Sequence, residues 1–155
     1  MWQRIQTVFL VVIVMSMAVG IFFPISVYSD PSTNVVHELY PLHYSIKEND
    51  QTITTYFPYS ITAILMIAAA TLAGMSIMRY ENRITQVKIG TLNSLILAGT
   101  ILSTYLFFKE FVNKFQTAKL GLVIWIVFVA VFCNWLALRF IRRDEKLVRD
   151  SDRLR

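Results

Sequence analysis

Four stretches of the chain, residues 5–23, 59–78, 89–108 and 120–138, are predominantly apolar and contain no Asp, Glu, Lys, Arg or His. Each is about the ~20 residues that a helix needs to cross a ~30 Å hydrocarbon core. In water these runs would have to be hidden from solvent. A chain of 155 residues that is 55% hydrophobic has too small an interior to hide them. Lipid accommodates them, because a helix satisfies its own backbone donors and acceptors. Only 16% of residues are charged, against about 25% in soluble chains, and the mean hydropathy is +0.53. The expected fold is therefore an all-α membrane protein. It is a four-helix transmembrane bundle forming a single domain over residues 1–155, with an outer loop at 24–58 and a tail helix at 139–155.

The first run also resembles a secretory signal peptide, with Arg4 before the apolar segment and a small-residue site at Ala18-Val19-Gly20. The apolar run continues beyond that site through Ile21, Phe22 and Phe23, so retention as a span is the preferred reading. Pro24 then ends the helix. Alternating the four spans places eleven basic residues on one side: Arg4, Arg79, Arg83, Lys88, Arg139, Arg142, Arg143, Lys146, Arg149, Arg153 and Arg155. Only four, Lys47, Lys109, Lys114 and Lys119, fall on the other. The richer side is expected to be cytoplasmic, which puts both termini inside, in a bacterial inner membrane. The same rule accounts for the net charge of +5 without invoking nucleic acid. Cys133 is the only cysteine and lies in an apolar run, so it reads as a buried inert thiol rather than part of a disulfide or metal site.

In the outer loop, residues 43–47 and 52–57 read as two short strands around the turn tetrad Glu48-Asn49-Asp50-Gln51. A lone hairpin is marginal in water, so it is expected to lean on the outer rim of the bundle. Tyr40, Tyr44, Tyr56 and Tyr59 suit that boundary between water and lipid. His37, Glu38 and His43 invite a metal reading, but Pro41 and a six-residue spacing depart from the helical HExxH pattern. Exposed loop histidines are preferred, with no metal or cofactor.

Ionisable side chains inside spans usually mark ion paths or proton relays, and here they are missing. The neutral polar residues Thr7, Ser76, Asn93 and Asn134 each lie about one turn from the cytoplasmic ends of their spans. They form an expected polar layer, read as interhelical hydrogen bonding in preference to a small pocket. Ala70 and Gly74, and Gly90, Ser94 and Ala98, are small residues at four-residue spacing, a pattern that lets helices approach closely. Spans two and three are expected to meet through these faces.

The tail, 139–155, has no Gly or Pro and mixes both charge signs. At 100° per residue Phe140, Leu147 and Leu154 align at heptad spacing with Ile141 and Val148 beside them, and Asp144, Ser151 and Arg155 interrupt the arc. Arg142, Lys146, Arg149 and Arg153 form a stripe on the opposite side. Glu145 with Arg149, and Asp150 with Arg153, are favourable intrahelical pairs. A helix lying on lipid would carry its basic residues flanking the apolar face. Their opposite placement favours a seam packed on protein, whether this chain's own inner loop, a second copy or another subunit. The basic stripe has no interleaved aromatic residue, and no nucleic acid is expected.

Both ends of the chain are similar to one family. Met1-Trp2-Gln3-Arg4-Ile5-Gln6-Thr7 leading straight into an apolar span resembles the start of small inner-membrane proteins of Bacteroidota, a family with a domain of unknown function. Ile141-Arg142-Arg143-Asp144-Glu145-Lys146-Leu147-Val148-Arg149, ending in Asp152-Arg153-Leu154-Arg155, resembles its C-terminal signature. The signature has Ser-Ala before its final Asp-Arg-Leu-Arg, where this chain has Asp150-Ser151 and so one more negative charge. The resemblance covers the whole chain and implies four spans, but it brings no activity.

No nucleophile–base pair, carboxylate dyad or metal cluster stands out, so an enzyme is the least favoured class. The expected function is a non-catalytic accessory or scaffold subunit, which docks a larger membrane complex or a second copy through the tail helix. The alternative is a small oligomeric transporter or channel that uses the polar layer. A through-path would have only Thr62, Thr100, Ser103 and Thr104 in its outer half.

Overall fold

The computed structural model describes residues 5–30, 35–48, 51–79 and 82–153, with residues 148–153 described by backbone alone. Four helices, α1 (Ile5–Gly20), α2 (Ser60–Met78), α3 (Arg83–Lys114) and α4 (Val123–Arg153), pack in a ring in which α1 and α3 each lie against both α2 and α4. Three of them, α2, α3 and α4, are long and apolar enough to cross a membrane, while α1 is a shorter apolar helix of 16 residues. The exterior is far more apolar than that of a water-soluble protein. Val8, Met15, Ile64, Ile67, Leu95, Leu102, Trp125, Phe128 and Phe132 are exposed around the outside. Buried polar residues, among them Gln6, Thr62, Ser76, Gln86, Asn93, Thr100 and Asn134, share the interior with Leu10, Ile13, Met17, Met66 and Leu97. This is compatible with a membrane protein.

α3 extends past both limits of its apolar run, because its ends are set by caps and packing rather than by hydropathy. Asn82 adopts an extended conformation and its side chain accepts a hydrogen bond from the Thr85 amide at 3.1 Å, the usual N-cap arrangement. Its buried side runs through Gln86, Gly90, Asn93, Leu97, Thr100, Thr104 and Phe111. That alternation of four- and three-residue steps keeps one stripe inward over the helix. The small residues fall elsewhere than expected. Gly90 faces Leu138 of α4, nothing lies within 4 Å of a β-carbon built at Gly74, and Ala98 is exposed. α2 and α3 instead meet through Thr62–Ser103, Leu65 against Gly99, and Ser76–Gln86. Gly90 and Ser94 are turned by the helical repeat toward α4.

One end of the ring carries a five-stranded antiparallel sheet in the order β4-β3-β2-β1-β5. Its strands are β1 (Ser26–Ser29), β2 (Val36–Leu39), β3 (Tyr44–Glu48), β4 (Gln51–Thr55) and β5 (Lys119–Leu120). The expected hairpin is β3–β4, with Ile46 opposite Ile53 and Glu48 opposite Gln51; the turn residues Asn49 and Asp50 lie outside the described residues. The expected two-stranded hairpin is part of a larger sheet, of which β4 is the exposed edge. β2 pairs with β3 and β1 with β2. The sheet is then closed by β5, from the start of the expected fourth span, with Ser26 opposite Leu120 and the Ser26 hydroxyl donating to the Lys119 carbonyl at 2.9 Å. Ile25, Ser26, Leu39 and Ser45 are buried beneath it. The α3–α4 connection therefore helps to hold the α1–α2 loop.

Candidate functional site: a buried amide network and a helical arm

At the end of the ring opposite the sheet, the interior carries five polar side chains, each no more than 2% exposed: Gln6, Ser76, Gln86, Asn93 and Asn134. Asn134 joins α4 to α3. Its amide nitrogen donates to the Ser94 hydroxyl at 2.8 Å and the Gly90 carbonyl at 3.3 Å, and its oxygen accepts from the Asn93 amide at 3.2 Å. Because a carbonyl can only accept, the Gly90 bond fixes which way the Asn134 amide points, and Asn93 must in turn donate. The Asn93 oxygen then has no hydrogen-bond partner among the described residues. The same argument fixes Gln86, whose Nε2 donates to the Ser76 carbonyl at 2.8 Å. The Gln86 Oε1, Ser76 Oγ and Gln6 Oε1 likewise have no partner among the described residues.

These residues occupy two tiers rather than one layer. The side-by-side contacts put Ser76 level with Gln86, and Asn93 level with Asn134. Gln86 and Asn93 are seven residues apart on α3, about 10 Å along the axis. Thr7 is half-buried, and its neighbour Gln6 is the side chain that α1 buries at this end. Gln6 and Gln86 were not among the expected site residues, since polar side chains near a span boundary read as the boundary itself. The signal that finds Gln86 is its seven-residue spacing from Asn93, which places both on one helical face.

The half of the interior nearer the sheet differs. The Thr100 hydroxyl donates to the Ile96 carbonyl at 2.9 Å, Thr104 to the Thr100 carbonyl at 2.8 Å, and Thr62 bonds Ser103 at 2.7 Å. Those groups are satisfied, and buried Met17, Met66 and Leu97 lie among them. Cys133 is buried and free. Among the described residues, no three His, Cys, Asp or Glu side chains are grouped so as to hold a metal ion.

The tail residues divide into an anchored turn and a projecting one. Phe140 stacks on Phe9 of α1, with ring centroids 5.8 Å apart and planes 9° apart, and Ile141 is buried. Arg83, at the start of α3, donates from Nη1 to the Asp144 carbonyl at 2.6 Å. The first part of the seam thus packs on this chain's own helices. One turn further, Leu147 is 61% exposed, and Arg142 and Lys146 are exposed as well. The backbone of α4 stays helical through Arg153. The side chains of Val148, Arg149 and Arg153, and all of Leu154, lie outside the described residues.

At the sheet end, His37 and Glu38 project to opposite faces of β2, as strand alternation requires. Glu38 pairs with Lys47 at 2.7 Å and accepts from the Tyr40 hydroxyl at 3.2 Å. His37 stacks on Phe115 at 4.5 Å and bonds the Tyr44 hydroxyl through Nδ1 at 2.7 Å. His43 lies apart from them, stacked on Tyr40 at 5.0 Å. Burial, followed by the nearby Lys114 charge, holds the His37 pKa below its ordinary 6.5, with Asp30 opposing. The folded chain therefore binds this proton less tightly than the unfolded chain does. Stability is fully present above about pH 6.5 and is lost as pH falls through the lowered folded value. Melting temperature is expected to fall on acidification over that window, and His37→Phe should remove its share of the fall.

An apolar exterior, a neutral hydrogen-bonded interior, a sheet cap at one end and a projecting helix at the other define a small helical protein with membrane-spanning capacity. The chain belongs to the family described as domain of unknown function DUF4293, whose model matches residues 2–154. No curated protein matches it.

Proposed function

We propose that this chain is a four-span inner-membrane protein, with both termini cytoplasmic, that acts as a non-catalytic accessory or scaffold subunit docking a partner through the arm of α4. The observation that carries the reading is the unbroken course of α4, 31 residues from Val123 to Arg153, or about 46 Å at 1.5 Å per residue. That is longer than a ~30 Å hydrocarbon core requires. The Phe140 and Arg83 contacts tie the arm to the ring, so Leu147 is presented at low conformational cost. The apolar exposed face of α1 and the exposed Phe22 and Phe23 beyond its end support counting it as the first span. The eleven-to-four division of basic residues supports the orientation. The satisfied, apolar-lined outer half of the interior weighs against a continuous transport path.

The test is gentle solubilisation and purification through a tag in the outer loop, comparing the natural chain with Leu147→Asp. Leu147 is exposed, so the variant is expected to keep its stability within about 0.5 kcal/mol and to lose a stoichiometric partner or a second copy. An unchanged assembly in the variant, or a lone monomer in both, contradicts the reading.

A further inference from the structure

The last turns of α3 meet the sheet through a continuous aromatic cluster that lines a partly open cavity of about 60 Å3, bounded by Tyr44, Tyr59, Phe107, Phe111, Phe115, Glu110 and Lys114. A single water needs ~10–15 Å3, so the space suits a small polyatomic group. Its walls are ring systems: Tyr44 and Tyr59 are 5.7 Å apart between centroids, Tyr59 and Phe107 5.2 Å, and Tyr44 and Phe111 6.1 Å. Glu110 and Lys114 stand four residues apart on one helix, a spacing at which a carboxylate and an ammonium ordinarily pair. They do not pair here; among the described residues the one salt bridge is Lys47–Glu38. Lys114 instead turns its Nζ onto aromatic faces, 5.9 Å from the Tyr44 centroid and 5.4 Å from that of Phe115. Glu110 is exposed where it lines the cavity, and among the described residues its carboxylate makes no salt bridge.

We propose that this cavity binds an alkylammonium group, with Tyr44, Tyr59, Phe107 and Phe111 as the cage and Glu110 as the counter-charge. Lys114 is then a tethered competitor that covers the cage when it holds no ligand. Aromatic faces carry negative electrostatic potential and hold cations within about 6 Å, and the lysine reports that polarity directly. An anion would meet the Glu110 carboxylate and the same negative faces, with Lys114 alone to hold it. The cavity lies where the exposed apolar surface of α3 gives way to the sheet, so the cation can come from an amine-bearing lipid headgroup or from a soluble amine.

The test uses the full chain in nanodiscs of anionic, amine-free lipid. Tetramethylammonium is titrated while saturation transfer to its methyl protons is followed, with empty nanodiscs as background. Saturable transfer is expected. Glu110→Gln should weaken it at least tenfold, as loss of a charge-assisted contact does. Lys114→Met should tighten it about two- to five-fold, the worth of an exposed cation–π contact. Both side chains are exposed, and unchanged melting temperatures confirm that the variants fold. With ethanolamine or choline lipids in the disc, loss of the signal identifies a headgroup as the natural occupant, and an undisturbed signal identifies a soluble amine. Three results overturn the proposal: no saturable transfer in both the natural chain and Lys114→Met, an affinity unmoved by Glu110→Gln, or weaker binding in Lys114→Met.

Discussion

Gly121→Ala is expected to destabilise the chain by about 3 kcal/mol, near the upper end of what overpacking costs, although it adds one methyl group. A β-carbon at Gly121 would overlap the Pro24 carbonyl oxygen and lie 2.8 Å from the backbone carbon and oxygen of Ile25. These are backbone atoms, so no side-chain rotation relieves the clash. The Gly121 amide also donates to the Ile25 carbonyl at 2.8 Å, and the β1–β5 pairing sits beside it. Moving the two chains apart therefore breaks the join between the two loops at the sheet end. Reversible unfolding in mixed micelles measures the loss. Gly90→Ala provides the contrast: its β-carbon would meet only the end of the Leu138 side chain, at 2.7 Å, which can turn aside.

Asn134→Leu is expected to cost about 2–3 kcal/mol. Each interhelical hydrogen bond in a membrane contributes roughly 0.6 kcal/mol and at most about 1.7. Asn134 makes three bonds, and its loss strands the buried Asn93 amide, which adds a desolvation penalty. In the double variant Asn93→Leu/Asn134→Leu the penalty for the stranded group disappears. The double mutant should then lose about 1 kcal/mol less than the sum of the single variants. Strict additivity in the same unfolding assay would mean that the two amides act independently.

How much of this was legible in the sequence depends on the range of the interaction. α2 follows from local hydropathy and lies within a residue of the expected limits, while α4 begins three residues after the start of the expected fourth span and runs on into the tail. α3 does not, because Arg83 to Lys88 and Lys109 to Lys114 read as connections although they are helical. β1, β2 and β5 are two to four residues long, too short for a periodic pattern. What holds β1 to β5 is a contact across 93 residues. Asn93 and Asn134 were legible as buried polar residues. Their pairing, and the placement of Gln6 rather than Thr7 toward the core, depend on helix rotation within the ring. In the tail, heptad spacing suggested an apolar seam, but Phe140 in its first turn already stacks on Phe9 of α1 and Ile141 is buried.

That occupied first turn narrows the proposed docking surface to the arm beyond Asp144, with Leu147 as its first apolar residue. The most direct test follows a single thiol there: Leu147→Cys with Cys133→Ser, treated with a membrane-impermeant thiol reagent. The proposal expects no reaction in intact spheroplasts, slow reaction in inverted membrane vesicles where the partner covers the arm, and fast reaction after purification away from the partner. Reaction in intact spheroplasts would contradict the orientation. Equal rates in inverted vesicles and in the purified chain would contradict the docking.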